Sequence, residues 1–158
     1  KNERSYLFTL IKSYFLKEIE SIVNQGIRIN ILGEFNKFSA DLKQILKKTT
    51  KLTKNNKRII VNLAINYGSK FEIFQALKKS QGKLNMKNFE KNLYTKNMPN
   101  PDILIRTGGY QRLSNFLLWQ LAYTELFFLK KLWPDFNSID LSKIIRKYKK
   151  IKRNYGNI

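Results

Sequence analysis

Cysteine and histidine are both absent from this 158-residue chain. Without cysteine there is no disulfide framework and no thiolate nucleophile, which fits a reducing compartment. Without histidine, imidazole bases and the usual zinc sites drop out, so a bound metal would be a hard ion on oxygen ligands. No apolar run approaches the roughly 18–20 residues a membrane-spanning helix needs, and the first residues lack the apolar segment of a secretion signal. A soluble, non-secreted protein is expected. Lys1 rather than methionine opens the span, which suggests a piece of a longer reading frame.

Acid is scarce as well: 11 Asp and Glu stand against 31 Lys and Arg, a net charge of +20. That charge admits three readings: lysines on solvated helix faces of a Lys-, Asn- and Ile-rich chain, attraction to anionic substrates or a membrane surface, and nucleic-acid binding. Lysine is spread over nearly every segment, which favours the first and leaves nucleic acid last. What is plentiful is apolar. A hydrophobic fraction of 42% and an aromatic fraction of 13% supply the core of one globular domain and argue against disorder.

Apolar residues recur at helical spacing from Tyr6 to Val23, with Gly26 placed to end the helix. IRINIL, Ile27 to Leu32, alternates as a strand does, and KRIIVNLAIN, residues 57–66, predicts a second strand buried on both faces. Ser39 is placed to cap a helix running to about Leu52, with Leu42, Ile45 and Leu46 on one side. Helices are expected over about 70–79, 86–94 and 138–154, and short strands at DILIR (102–106) and Leu126 to Leu129. Strands alternating with helices predict an α/β domain with a mainly parallel central sheet flanked by helices.

Two of the seven glycines and two of the seven arginines fall within residues 106–112 of the stretch PDILIRTGGYQRLSNFLLWQLAYTEL. In open α/β sheets ligands bind beyond the carboxyl ends of strands, and Arg106 stands at such an end. Gly108 and Gly109 permit positive φ and could turn their N–H groups toward an anion. Arg106 and Arg112 add planar forks for phosphate oxygens, and Thr107 and Ser114 add hydroxyls. Phe116 to Trp119 could form an apolar wall or simply pack in the core. Glu125 is the carboxylate nearest in sequence, suited to a divalent ion bridging it to phosphate. A glycine pair after a strand is also an ordinary turn, so the alternative stays open. The same holds for Asn66, Tyr67 and Gly68, a turn or a supporting contact.

RTGGYQRLSNFLLWQLAYTELFF followed by LWPDF closely resembles the C-terminal signature of cis-prenyltransferases, particularly bacterial undecaprenyl diphosphate synthases. INILGE and LAINYGSKFEI resemble further segments of that family, so the likeness runs over the whole chain. The resemblance implies the family's fold and a reaction that condenses isopentenyl diphosphate in cis geometry onto an allylic diphosphate such as farnesyl diphosphate. It also implies a Mg²⁺-dependent cytoplasmic homodimer, and apolar product together with the basic surface suggests transient contact with the membrane surface. Carried over residue by residue, Arg106, Gly108, Gly109, Arg112, Leu113 and Ser114 would bind substrate and Glu125 the metal.

Residues 1–158 read as a single domain lacking the family's N-terminal third, where the catalytic Asp lies, so no catalytic residue is assigned in this span. Three positions depart from the pattern. Tyr110 stands where the family carries Glu, Gln111 where it often carries His, and Asn154-Tyr155-Gly156 where it carries Arg-x-Gly with Arg153 one position early. These departures leave one alternative, a catalytically silent structural subunit of a prenyltransferase complex, and the net charge of +20 leaves another, a basic nucleic-acid-binding domain.

Overall fold

The computed structural model describes residues 2–36, 38–80, 82 and 84–153. The chain divides into two compact units, Lys1–Tyr67 and Gly68–Ile158.

In the first unit a long helix, α1 (Asn2–Asn24), is ended by Gly26, whose φ of +70° and N–H bond to the Val23 carbonyl (3.0 Å) close its last turn. Strand β1 (Ile27–Leu32), helix α2 (Ala40–Thr53) and strand β2 (Ile59–Ala64) follow, the strands parallel in register from Ile27–Ile59 to Leu32–Ala64. Phe15, Ile22, Ile29, Phe38, Leu42 and Leu46 form the core between both helices and one sheet face. Thr53, fully buried, closes a polar gap there: its hydroxyl accepts from the Ile29 N–H (3.1 Å) and donates to the Thr49 carbonyl (2.9 Å).

Two expectations are corrected in this unit. Ser39 precedes α2, but its side chain makes no capping bond. Asp41 serves instead, accepting from the Leu42 N–H (2.9 Å) and pairing with Lys12 of α1. Strand β2 is not buried on both faces. Val61 and Leu63 turn toward the core, Ile60 on the opposite face is 51% exposed, and Ile59, on the core face at the strand's first position, is 54% exposed.

The second unit contains α3 (Ser69–Lys79), α4 (Met86–Glu90), strands β3 (Ile103–Arg106) and β4 (Glu125–Phe128), a 3-10 turn at Trp133–Asp135, and α5 (Ser138–Tyr148). The two strands pair parallel, from Ile103–Glu125 to Arg106–Phe128. Ala76, Phe89 and Leu93 pack with Ile73 and Trp119, the rings of Phe89 and Trp119 meeting edge-on at 4.7 Å. Asn137 and Asp140 form a reciprocal capping box at the start of α5.

Two helices are shorter than their periodicity predicts. α4 stops at Glu90, and the Tyr94 N–H, which a continuing helix would bond to residue 90, goes to the buried Glu72 carboxylate (2.7 Å). α5 stops at Tyr148 and the chain leaves it through turns that bring Arg153 to Asp102. Asn154 and the segment after it lie outside the described residues. The parallel α/β class is borne out, with the strands paired two and two.

Candidate functional site

Strand β3 delivers Arg106 to its carboxyl end, and residues 107–124 return as a long loop before β4 begins. Gly108 and Gly109 adopt φ of +90° and +81°, a conformation in which a side chain is strained, so glycine is required by backbone geometry. Their N–H groups, however, donate to the carbonyls of Lys131 (2.9 Å) and Leu129 (2.8 Å). The expected anion-binding concavity of glycine N–H groups is therefore corrected. Those donors fasten the loop to the chain beyond β4, because Leu129 continues the ladder by bonding back to the Arg106 carbonyl (2.8 Å).

The two arginines are held at the same strand end. Arg106 Nη1 donates to the Arg112 carbonyl and to Ser114 Oγ (3.1 Å), folding the loop back over the strand end. The Arg112 guanidinium lies 4.0 Å from the centre of the Tyr110 ring. Space around this group is open: a Cβ built on Gly108 would meet nothing within 4 Å, and Tyr110, Gln111, Arg112 and Ser114 are all exposed. Leu113 is half-buried between them.

The loop is strained where it turns. Ser114, Asn115 and Leu117 have φ of +48°, +62° and +45°, values uncommon for any residue but glycine and costing of order 1–3 kcal/mol each. What holds them is the start of α3. The Asn115 carbonyl accepts from the Ser69 N–H (2.9 Å), its Oδ1 accepts from the Lys70 N–H (2.8 Å), and Ser69 Oγ accepts from the Leu118 N–H (3.0 Å). Gly68 is part of the contact, since a Cβ there would come within 2.8 Å of Asn115 Nδ2. Of the two readings left open for this glycine, supporting contact is the one the geometry favours. Asn115→Ala is expected to lower unfolding stability by about 1–2 kcal/mol, from a lost helix-start bond and a residue less tolerant of positive φ, as read from chemical denaturation.

Sequence reasoning missed the buried polar groups behind the loop. Glu72 is 1% exposed and Gln120 2%. Gln120 Nε2 donates to Glu72 Oε2 (3.2 Å) and to Thr95 Oγ1 (2.9 Å), tying the loop's far end to α3 and to the segment after α4. The signal was present. Ser69, Glu72 and Ala76 share the buried face of α3, and a lone acid inside the apolar run KFEIF stands out there. Trp119 packs on Phe89, so this end of the Phe116–Trp119 run is core.

Glu125 does not join the arginines. It opens β4 opposite Ile103, three positions from the Arg106–Phe128 pair, about 10 Å along the strands at ~3.3 Å per residue. Nearness in sequence misleads because β4 starts at the far end of β3. Among the described residues no three His, Cys, Asp or Glu side chains gather to hold a metal. Mg²⁺ commonly takes one or two carboxylates and completes its shell with phosphate and water, and Glu125 is the carboxylate this stretch offers.

Arg153 is also committed elsewhere. Its guanidinium donates to Asp102 Oδ1 (2.6 Å), the Tyr148 hydroxyl (2.6 Å) and the Tyr123 carbonyl (2.8 Å), at the amino end of β3. The Arg153 bond, and then that from Tyr148, holds Asp102 below the usual carboxylate range against a small opposing effect of burial. A carboxylate depressed by folding stabilises at pH above its unfolded value of roughly 3.9 and loses that contribution as pH falls through the folded value. Hydrogen-exchange protection of Ile151–Arg153 is therefore expected to fall below about pH 4 while that of α3 holds.

The sequence model of the prenyltransferase family described as undecaprenyl diphosphate synthase matches residues 1–156, through both units. An isoprenyl transferase of Rickettsia prowazekii is 40% identical over 159 residues, covering 98% of this chain and 70% of its own length. The (2E,6E)-farnesyl-diphosphate-specific ditrans,polycis-undecaprenyl-diphosphate synthase of Haemophilus influenzae is 37% identical over 166 residues, covering 99% and 70%. Two solved structures superpose at 30% identity each. A probable undecaprenyl diphosphate synthase from Campylobacter jejuni has a TM-score of 0.90, covering 99% of this chain and 76% of that one. Lavandulyl diphosphate synthase from Lavandula x intermedia, in complex with dimethylallyl diphosphate, has a TM-score of 0.92, covering 99% and 72%.

Proposed function

The chain belongs to the undecaprenyl diphosphate synthase family of prenyltransferases, and on that premise we propose that it joins isopentenyl diphosphate in cis geometry to an allylic diphosphate and extends it into a long-chain polyprenyl diphosphate. Farnesyl diphosphate or a close analogue is the starter. The observation that carries the assignment of the site is the Arg106 guanidinium, bridging the Arg112 carbonyl and Ser114 hydroxyl at the end of β3 with a second guanidinium beside it.

Arg106, Arg112 and Ser114 hold the diphosphate of isopentenyl diphosphate, with Gly108, Gly109 and Leu113 shaping the loop that presents them. Two guanidinium forks neutralise the anion and fix its direction, which sets the alkene toward the allylic carbon. The allylic carbon–oxygen bond breaks as diphosphate departs with the electron pair, the new carbon–carbon bond forms, and loss of one proton restores a double bond. Water kept from the cation-like carbon favours condensation over hydrolysis. No step here is assigned to a metal. Glu125 is kept as a candidate ligand whose role Glu125→Ala tests directly.

We extend the proposal to a cytoplasmic homodimer that touches the membrane surface while handling apolar product. Exposed Leu126, Trp133 and Ile139 (44%, 71% and 62%) support a further apolar contact in the second unit. Among the described residues no helix is long and apolar enough to cross a membrane.

The test is incorporation of labelled isopentenyl diphosphate by the full-length protein with farnesyl diphosphate and Mg²⁺, with sedimentation velocity for the oligomer. Long-chain product is the expected result. No product from a folded protein would overturn the assignment in favour of the silent subunit. The family matches give no support to nucleic-acid binding.

A further inference from the structure

Tyr110 follows the two glycines directly, and 57% of it is exposed. A ring so open contributes little to a core, and single exposed apolar residues are common. What sets this one apart is its neighbour. The Arg112 guanidinium carbon lies 4.0 Å from the ring centre, well inside the range of a cation–π contact. Gly108 and Gly109 turn the chain immediately before Tyr110 through a conformation that side chains rarely adopt, so the backbone sets where the Tyr110 side chain leaves the loop.

Arg112 is thereby held twice. Its carbonyl accepts from the Arg106 guanidinium, and its own guanidinium rests against Tyr110. An arginine on an exposed loop otherwise samples many rotamers, and an anion that binds it must freeze them. A guanidinium already resting against a ring has lost much of that freedom beforehand. The contact also leaves its charge intact. A carboxylate partner would offset the positive charge that an anion needs, whereas a neutral ring orients the guanidinium without cancelling it. Among the described residues Arg112 takes part in no ion pair, so its charge stays available.

We propose that Tyr110 is a positioning residue whose ring serves as the platform that presets Arg112 for the diphosphate of the five-carbon substrate. The inference rests on the reading of this loop as the diphosphate site. It assigns the work to the face of the ring and none to the hydroxyl.

Steady-state kinetics of the full-length protein and its Tyr110→Ala, Tyr110→Phe, Arg112→Ala and Tyr110→Ala/Arg112→Ala variants test it. Tyr110→Ala should raise KM for isopentenyl diphosphate about 5-fold, a value in keeping with an exposed cation–π contact. Its kcat and its KM for farnesyl diphosphate should change less than about 2-fold, as expected for a binding contact present equally in ground and transition states. Tyr110→Phe should match the parent protein. The double variant should be no weaker than Arg112→Ala alone, because the ring acts only through that arginine. An unchanged KM in Tyr110→Ala, a Phe variant as weak as the Ala variant, or additive losses in the double variant would each overturn the platform. Should the parent protein form no product, the enzyme reading fails separately, and titration calorimetry with inorganic pyrophosphate decides the platform. Weaker binding in Tyr110→Ala than in Tyr110→Phe supports it, and equal binding overturns it.

Discussion

Arg106→Ala is expected to lower kcat/KM for isopentenyl diphosphate by about 100-fold, roughly 2.7 kcal/mol of transition-state stabilisation. Two effects combine. The variant loses a charged donor to phosphate, ordinarily worth about 1.5–3 kcal/mol. It also removes the group that holds the Arg112 carbonyl and the Ser114 hydroxyl, so the segment carrying the second arginine loses one of its ties and keeps those at Gly108, Gly109 and Asn115. Arg106→Lys separates them. Lysine keeps the charge but lacks a planar fork that can reach two acceptors and an anion together, so it should recover only part of the loss. Full recovery by lysine would mean that charge alone matters and that the bridge to Arg112 and Ser114 is incidental. The assay is incorporation of labelled isopentenyl diphosphate at fixed farnesyl diphosphate, with a thermal melt to show that each variant is folded.

The elements were legible where local pattern decides them. Ile27–Leu32 is a strand with the bounds its alternation predicts, and Gly26 ends α1 as its position suggested. Arg106 could be placed at a strand end because an apolar ILI runs straight into it. Errors arose where a distant group outranked the local pattern. The 86–94 segment has helical periodicity, yet Tyr94 bonds to Glu72, 22 positions away, and the helix stops early. Gly108 and Gly109 were expected to turn their N–H groups toward an anion, with an ordinary turn as the alternative, and they bond instead to the carbonyls of residues 131 and 129, because nothing local shows that those carbonyls would reach them. Glu125 was drawn toward the arginines by sequence distance. Parallel pairing reverses that expectation, since a parallel partner must begin at the end of β3 opposite Arg106.

Glu72 makes this dependence measurable. Its carboxylate accepts from the Tyr94 N–H (2.7 Å) and from Gln120 Nε2 (3.2 Å) in a place where only 1% of its surface is exposed. In Glu72→Ala the Tyr94 N–H loses this acceptor inside the fold, at about 1–3 kcal/mol for a group left unsatisfied, and Gln120 Nε2 keeps only its bond to Thr95 Oγ1. A loss of about 3 kcal/mol is expected, a fall in Tm of about 6–12 °C for a chain of this size. Glu72→Gln keeps one carbonyl oxygen, so it should restore the Tyr94 bond and lose much less. The effect should also reach the arginines without touching them. Gln120 ends the stretch whose strained turns at Ser114, Asn115 and Leu117 present Arg112, and Gln120 Oε1 has no partner among the described residues. With its Glu72 bond gone, only Thr95 still holds the Gln120 amide in the hydrogen bonds described, and the positive-φ turns can relax. At a temperature where Glu72→Ala remains folded, KM for isopentenyl diphosphate should rise while KM for the allylic substrate stays put. A lower Tm with an unchanged KM would confine Glu72 to the stability of α3 and detach it from the loop.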